Sequence, residues 1–245
     1  MPPSSDRAVE IQRRYYTETA ARYDSMHAHE GDDEYENLRF VYAMLRLIGA
    51  RTVLDVGAGT GRGVRNIQEA LPELIVRGIE PVAALIEQAV QKNGVPKGTL
   101  IQGVGEALPF RDASFDAVCS FGILHHIRRP DGVVREMLRV ARKAVFISDS
   151  NRFGQGRRSL RLLKLALYKM KLWSLANRLK TGGKGYLLTS GDGLAYSYSV
   201  YDSFDCLTQW ADRLILIPSQ TGKATSWLHS LLNSGGVLVC AIKEK

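Results

Sequence analysis

The stretch VLDVGAGTGRG (residues 53–63) places four glycines directly after a short apolar run that contains an aspartate. Glycine weakens strands and helices, so a cluster of this density indicates a loop whose backbone must approach something closely. A turn between the first strand and its helix lies at the carboxyl edge of a sheet, where α/β folds bind ligands. The stretch therefore predicts an α/β fold with its ligand site at this loop.

Around the loop, short β-branched runs alternate with amphipathic helical patterns, which is typical of crossover units and a parallel sheet. Strands are predicted at 52–57, 74–80, 99–103, 115–122, 144–150, 213–219 and 236–245, and helices at 63–71, 82–93 and 130–142. The connection between the last two strands is too short for a typical crossover with a long helix, so the last strand is expected to be antiparallel. The fold class is therefore a Rossmann-like, seven-stranded, mostly parallel sheet with helices on both faces.

Length and composition agree with a single α/β domain that carries an insertion. The chain has 245 residues, of which 45% are hydrophobic and 24% charged. Cys119, Cys206 and Cys240 are scattered and odd in number, which favours free thiols in a reducing compartment. No apolar run has the length of a signal peptide core or a membrane span, so a cytoplasmic protein is expected.

The positive net charge of +8 belongs to one segment. Between Asp149 and Asp192 there are ten basic residues and no acidic one, whereas the rest of the chain has 23 basic and 25 acidic residues. The charge therefore concerns the partner of that segment rather than the whole surface. The predicted organisation is a helical lead (1–50), an α/β core (51–150 and 213–245) and a basic insertion (151–212) that forms a lid.

Within the insertion, Arg157 to Leu179 is predicted to form one helix that ends at TGGKG (181–185). Its basic face is expected to contain Arg157, Arg161, Lys164, Lys171 and Arg178, and its broad apolar surface Leu160, Leu163, Leu167, Met170, Leu172 and Trp173. Three interpretations stay open: a solvated lid, a cap over an anionic or lipidic acceptor, and a surface for an anionic membrane or nucleic acid. Nucleic acid is the less favoured partner, because no RNA-binding module or set of stacking aromatics is present.

Two carboxylates distinguish between the ligand classes that a glycine loop can hold. A dinucleotide fingerprint needs a third glycine where this chain has Arg62, so that pattern fails. Instead, Asp55 precedes the first glycine by two positions, and Glu80 ends the next predicted strand. Glu80 is placed to accept hydrogen bonds from both hydroxyls of a ribose, although a solvated charge at a strand end is the alternative.

With these residues the chain resembles the class I S-adenosylmethionine-dependent methyltransferases, and most closely the branch with quinone-biosynthesis and small-molecule enzymes. The resemblance spans roughly residues 20–150 and rests on AARYDSM, VLDVGAGTGRG, GIEPVAALIEQA and GEALPFRDASFDAVCSFGILHHIRRPDGVVREMLRVARK. It implies S-adenosylmethionine as cofactor and S-adenosylhomocysteine as product. The segment 151–212 matches no pattern of the family.

The resemblance also implies roles for individual positions. In the family the loop glycines admit the methionyl part of the cofactor, the first carboxylate orients its ammonium group, and a lead tyrosine covers its carboxylate. The second carboxylate holds the ribose, and the proline after it packs near the adenine. The expected cofactor contacts in this chain are Tyr23, Asp55, Gly57, Ala58, Gly59, Gly61, Glu80, Pro81, Gly105, Glu106, Ser120 and Phe121.

One position departs from the family pattern. An aspartate that accepts from the adenine amino group is usual where this chain has Val104. Adenine recognition is then expected from the backbone near Gly105, from Glu106 or from Gln102. Losing one acceptor costs on the order of 1 kcal/mol, so weaker but not abolished cofactor binding is expected.

The candidate catalytic residues are His125 and His126, which follow the fourth strand at the ligand edge. An imidazole with a pKa near neutrality suits deprotonation of a phenol, enol or sugar hydroxyl, and His126 is preferred. A packing or backbone-bonding role is the alternative for either histidine. No histidine has metal-ligand spacing with cysteines or carboxylates, so no metal is expected, and HAHEGDDE (27–34) is interpreted as an acidic loop.

The acceptor pocket is expected at the end of the fifth strand and in the run YSYSVYDSF (196–204), which alternates as a strand does. Its candidate residues are Asp149, Asn151, Arg152, Tyr196, Tyr198 and Tyr201. Helix capping or strand packing explains these residues equally well.

The predicted function is methyl transfer to a small, anionic or aromatic acceptor by a monomer or homodimer, with oxygen favoured over nitrogen or carbon. The alternatives are an RNA or protein methyltransferase that uses the basic insertion, and a cofactor-binding protein without turnover. Peripheral membrane contact through the basic helix is a further expectation.

Overall fold

The structure is a computed structural model that describes residues 5–27, 33–189, 191–219 and 228–244. Its main sheet has seven strands in the order β3-β2-β1-β4-β5-β9-β8. These strands are β1 (Thr52–Val56), β2 (Ile75–Glu80), β3 (Leu100–Gln102), β4 (Phe115–Phe121), β5 (Ala141–Ser150), β8 (Arg213–Pro218) and β9 (Gly236–Ile242). A separate hairpin pairs β6 (Tyr186–Thr189) with β7 (Gly193–Tyr196).

The predicted fold class is confirmed. Strands β1 to β5 pair in parallel, whereas β9 is antiparallel to both of its neighbours, β5 and β8. The chain order reverses between β1 and β4, so the loops after these two strands diverge and leave a crevice at their carboxyl ends.

Helices cover both faces of the sheet. The helices are α1 (Ser5–Thr19), α2 (Tyr23–His27), α3 (Asp33–Leu47), α4 (Arg62–Ala70), α5 (Ala83–Gln91), α6 (Pro130–Val140), α7 (Arg158–Lys169), α8 (Trp173–Lys180) and α9 (Phe204–Trp210). One apolar layer joins α3, α4 and α5 to the sheet, and a second joins α6 and α9 to its other face. Neighbouring residues of β1 supply opposite layers, Val53 the first and Leu54 the second, as the two-residue period of a strand requires.

The basic insertion differs from its prediction in two ways. The single helix expected from Arg157 to Leu179 is two helices, because Lys171 adopts a left-handed conformation (φ 60°) between α7 and α8. A residue with a side chain rarely adopts this conformation, and it ends the helical path. The hairpin β6–β7 was not predicted, because its strands contain few of the β-branched residues that identify strands in a sequence.

Two boundaries also differ. The strand-like interpretation of 196–204 is wrong beyond Tyr196, because Val200–Ser203 forms a short 3-10 helix whose capping box joins Ser199 and Asp202. The helix predicted to reach residue 142 ends at Val140, where β5 begins at once.

Other expectations concern features outside the sheet. The three cysteines are free, and Cys119 and Cys240 are buried in the core. Among the described residues, no helix has the length and apolar character needed to span a bilayer. Most of the acidic loop expected at 27–34, and residues 220–227 of the last connection, lie outside the described residues.

Candidate functional site

The glycine loop folds back onto the end of β2. The backbone N–H groups of Gly57 and Ala58 donate to the Ile79 carbonyl oxygen at 2.8 and 2.9 Å. Gly57 has a φ of 81°, and an added Cβ would lie 2.6 Å from a methyl carbon of Ile123. The loop therefore needs glycine here for its backbone conformation and for the close approach of the segment after β4.

Glu80 is fixed by the same loop. Its two carboxylate oxygens accept from the backbone N–H groups of Gly59 and Val82, each at 2.9 Å. Burial raises the pKa of Glu80 to about 7, against the opposing effect of these two donors. Each oxygen keeps a further lone pair, which suits a ligand that presents two hydroxyl donors.

Two cavities meet at the glycine loop, where Tyr23, Gly57 and Gly59 border both of them. The larger has a volume of about 450 Å³, which is in the range of small-molecule sites. One end of it is lined by Glu80, Pro81, Val82, Leu85, Val104, Gly105 and Glu106, and the other by Ala8, Gln12, Tyr16, His126, Ile127 and Tyr196. The smaller cavity, about 40 Å³, is lined in part by Asp55, Ala58, Thr60 and Phe121.

The helical lead closes over this loop through Asp24. The Thr60 hydroxyl donates to one Asp24 carboxylate oxygen at 2.5 Å, and the Asn93 amide donates to the other at 2.9 Å. This anchorage holds Tyr23 beside Gly59, where a Cβ added to the glycine would lie 3.5 Å from the tyrosine hydroxyl oxygen. The lead thus forms one wall of both cavities.

The site fits an aminoacyl nucleoside. Glu80 can accept from a ribose, the apolar surface of Val82, Leu85 and Val104 can cover a flat ring, and Asp55 faces the smaller cavity. Val104 offers no acceptor at the ring end. The Gln102 amide donates to the Pro81 carbonyl oxygen at 3.3 Å, outside the cavity lining, which leaves Gly105 and Glu106 to recognise the ring.

Two of the expected cofactor residues border neither cavity. A Cβ on Gly61 would lie 2.7 Å from a methyl carbon of Val95, so this glycine allows α4 to pack closely. Ser120 is buried in β4. The other ten predicted positions line one or both cavities.

Comparison with known proteins agrees with this geometry. A family model described as a methyltransferase domain matches residues 54–147. That range contains the glycine loop, Glu80 and both histidines. The chain contains a class I S-adenosylmethionine-dependent methyltransferase domain. S-adenosylmethionine is the cofactor of this domain.

Similar proteins carry the same domain in different enzymes. The chain is 28% identical over 142 residues to the demethylmenaquinone methyltransferase of Roseiflexus castenholzii, which covers 57% of this chain and 59% of that protein. It is 38% identical over 93 residues to the same-named enzyme of Deinococcus radiodurans, covering 37% of this chain and 38% of the other. The chain thus spans about three fifths or less of these relatives.

A solved structure with the same fold covers nearly the whole chain. The magnesium protoporphyrin IX methyltransferase from Synechocystis PCC 6803, with bound S-adenosylhomocysteine, superposes with a TM-score of 0.62 at 17% identity. The alignment covers 97% of this chain and all of that one, so the fold likeness includes the insertion of the methyltransferase.

His126 borders the larger cavity, as Glu80 does. Its Nδ1 lies 2.6 Å from the Leu194 carbonyl oxygen, and its Nε2 lies 2.9 Å from the Tyr16 hydroxyl. Because a carbonyl only accepts, Nδ1 donates to Leu194. Nε2 faces both the Tyr16 hydroxyl and an Asp192 carboxylate oxygen 3.3 Å away, so the hairpin contacts both ring nitrogens.

His125 lies between two carboxylates instead. Its Nδ1 is 2.8 Å from Asp149 and its Nε2 is 3.1 Å from Asp192. Burial disfavours the charged imidazole, but the two carboxylates outweigh it and raise the pKa of His125 to about 10. The raised pKa favours the protonated imidazole at neutral pH, which joins β5 to the hairpin and opposes a role as a base.

The predicted acceptor residues are mostly placed behind the cavity. Asn151 is fully buried and donates to three carbonyl oxygens of residues 230–234. Arg152 pairs with Asp202, and burial lowers the pKa of its guanidinium to about 10. Tyr198 bonds the Ser203 hydroxyl, and Tyr201 packs beside Phe153.

Tyr196 alone of the predicted acceptor residues lines the cavity. The other five predicted residues, Asp149, Asn151, Arg152, Tyr198 and Tyr201, border neither cavity.

Several residues that shape the site were not predicted. Gln12 and Tyr16 project from α1 into the larger cavity, and Asp192 reaches both histidines from the hairpin. The paired tyrosines Tyr15 and Tyr16 on an amphipathic helix were the available signal for α1. No sequence signal indicated Asp192, because its contact with His126 joins residues 66 positions apart and leaves no local pattern.

The same cluster bears on the expectation of no metal. Donor atoms of His125, His126 and Asp192 lie within 4.8 Å of one another, an arrangement that sequence spacing did not show. Hydrogen bonds to Asp149, Leu194 and Tyr16 already engage the histidine nitrogens. The absence of a metal stays a prediction.

Proposed function

We propose that the protein transfers the methyl group of S-adenosylmethionine to a hydroxyl of a small acceptor bound between Glu80 and His126. The observation that carries this proposal is the 2.9 Å contact between His126 Nε2 and the Tyr16 hydroxyl, at the cavity that also contains the cofactor-binding loop. Bound S-adenosylmethionine supplies a methyl group on a sulfonium, so the protein must align the acceptor and take its proton.

The cofactor end of the cavity does the alignment. Glu80 accepts from the ribose, Gly57 and Gly59 let the backbone approach, and Asp55 receives the ammonium group in the smaller cavity. Tyr23 closes over this part from the lead. Bound through these contacts, the cofactor would present its methyl group to the end of the cavity that Tyr16 and His126 line.

Tyr16 and His126 form a proton path. The acceptor hydroxyl donates to the Tyr16 oxygen while the Tyr16 proton moves to His126 Nε2. Burial raises the pKa of Tyr16 well above its ordinary value, so the phenol stays protonated and relays a proton rather than holding a charge. Asp192, whose carboxylate lies 3.3 Å from Nε2, stabilises the imidazolium that forms.

The walls of this end favour an anionic, aromatic acceptor. Tyr16 and Tyr196 offer aromatic faces, and Arg13, Arg128 and Arg129 border the cavity. Guanidinium groups in the lining attract a carboxylate or phosphate and can bind it in bidentate fashion. We infer a phenol that bears an acidic group, methylated in the cytoplasm, where the three free thiols stay reduced.

The test is a methylation assay with radiolabelled S-adenosylmethionine and a panel of carboxylated and phosphorylated phenols. His126→Ala and Tyr16→Phe should each lower kcat by about 10²- to 10⁴-fold while affinity for S-adenosylhomocysteine is kept. The double variant should lose little more than either single one, because the two groups act as a unit.

His229→Ala is the matched control, because this histidine borders neither cavity. Undiminished turnover in His126→Ala across pH 6 to 9 would refute the proton path. Binding of the cofactor without methylation of any acceptor in the panel would contradict the proposed activity.

A further inference from the structure

Helix α7 turns two of its cations, Arg161 and Lys164, inward and three of its leucines outward. Arg161 donates to the carbonyl oxygens of Gly156 and Leu232 at 2.7 and 3.0 Å. Lys164, one turn further on, donates to the Arg152 carbonyl oxygen at 3.0 Å. An amphipathic helix of a globular protein normally does the reverse, so the outward face of α7 is built to meet an apolar environment.

We name the exposed side chains of residues 158–188, which include α7, α8 and most of β6, the insertion face. Its large apolar side chains, exposed by 44 to 76%, are Leu160, Leu162, Leu163, Met170, Leu172, Leu175, Leu179, Leu187 and Leu188. These nine are among fifteen exposed large hydrophobic residues in the described chain, yet they lie within 29 consecutive positions. Such a concentration marks an interaction surface rather than scattered exposure.

Cations surround these leucines. Arg157, Arg158, Lys169, Lys171, Arg178, Lys180 and Lys184 are all exposed. Within the described part of the chain none of the seven forms an ion pair, and no acidic residue occurs between Asp149 and Asp192. The partner must therefore be anionic as well as able to receive leucine side chains.

We propose that the insertion face docks the protein on the surface of an anionic lipid bilayer. The acyl boundary receives the leucines and methionine, and the phosphate layer receives the seven cations, as in interfacial amphipathic helices. A nucleic acid would engage the cations but leave the leucines in water. A second copy packed on the same face would bring two sets of seven unpaired cations together, which charge repulsion opposes.

The first test is co-sedimentation of the full chain with lipid vesicles. The protein should sediment with vesicles in which about a third of the lipid is phosphatidylglycerol and stay in solution with pure phosphatidylcholine. Binding should fall steeply as salt is raised, because the headgroup attraction is screened. Equal binding to both vesicle types, or none to the anionic ones, overturns the proposal.

Variants then assign the binding to this face. Lys169→Gln with Lys171→Gln should lower the partition coefficient about 25-fold, at about fivefold per cation. Leu162→Gln with Leu163→Gln should lower it about tenfold. The matched controls are Lys97→Gln and Leu47→Gln, exposed residues outside the insertion, which should bind as the wild type does.

All six positions are exposed, so the variants should keep the wild-type circular dichroism and melting temperature. Loss of binding in the controls, or retention of it in both insertion pairs, contradicts the assignment. Suppose instead that sedimentation velocity shows a dimer for the wild type and a monomer for Leu162→Gln with Leu163→Gln. The partner of this face would then be a second copy of the chain. If the protein binds single-stranded RNA but no vesicles, and the leucine double variant binds RNA equally well, the partner of this face would be a nucleic acid.

Discussion

At the scale of a single residue, Glu80 has a carboxylate whose charge depends on its ligand. With a pKa of about 7 it is partly protonated near neutral pH when the cavity holds no ligand. Its folded pKa lies above the ordinary value, so its contribution to stability is present at acid pH and is lost as the pH rises through about 7. Ribose hydroxyls donate to the ionised form and therefore favour deprotonation.

Cofactor affinity should consequently increase with pH. We expect the Kd for S-adenosylhomocysteine to fall about tenfold between pH 6 and pH 8 and then level off, since ionisation of Glu80 no longer opposes binding. Isothermal titration calorimetry across this pH range measures the Kd.

Glu80→Gln is the matched variant, because it keeps the shape of the side chain but cannot titrate. It should bind more weakly and with a flat pH profile over the same range. A slope in Glu80→Gln equal to that of the wild type would assign the dependence to another group.

At the scale of secondary-structure elements, His125 joins the end of β5 to the hairpin β6–β7. It lies between Asp149, which is buried, and Asp192 on the hairpin. Removing the imidazole leaves the Asp149 carboxylate buried with only its backbone donors, at Leu124 and Ser150.

We therefore expect His125→Ala to lower the free energy of unfolding by about 3 to 5 kcal/mol, as breaking a buried pair does. Urea denaturation followed by circular dichroism measures the loss. Arg14→Ala removes the exposed Arg14–Glu18 pair and should leave the free energy of unfolding nearly unchanged. A similar loss in the free energy of unfolding in the two variants would show that His125 contributes no more to stability than an exposed ion pair does.

The elements also show how far sequence patterns reach. All seven strands of the main sheet and the three helices between them were predicted, because alternation and turn residues are local signals. The hairpin, the break at Lys171 and the position of Asp192 were not. The hairpin and Asp192 depend on contacts with α1 and with the histidines after β4, which local patterns do not contain.

The residues of the candidate site also fall into those that local sequence patterns place and those that only the fold brings together. Glu80, Gly57 and Gly59 lie at strand ends that the sequence places at one edge of the sheet. The residues of the acceptor end, such as Gln12 and Tyr16, come from a helix more than 100 positions before His126. A sequence pattern can place the cofactor end of the site, but only the assembled fold defines the acceptor end.

At the scale of the whole molecule, three parts enclose the cavities: the sheet edge, the lead and the hairpin. Gln12 of α1 accepts from the Leu194 N–H on the hairpin at 2.6 Å, and Asp24 of α2 bonds the glycine loop. The lead is thus bonded to both other parts.

We expect binding of S-adenosylhomocysteine to slow amide hydrogen exchange in residues 8–27 at least several-fold, because the ligand ties the lead to the loop. Mass spectrometry of peptic peptides measures this. Residues 130–140 of α6 border the cavity little and should exchange at an unchanged rate. Equal slowing in α6 would indicate general stabilisation rather than closure of the lead.

The placement of β9 has a consequence for how the protein is made. This strand lies inside the sheet, between β5 and β8, and residues 237–242 are buried. A ribosome adds it only after every other strand of the sheet has been synthesised. Until residue 242 has emerged, the nascent chain exposes the edge of β5 and cannot complete its core. Chains that stop before residue 236 would therefore need chaperones or be removed by proteases.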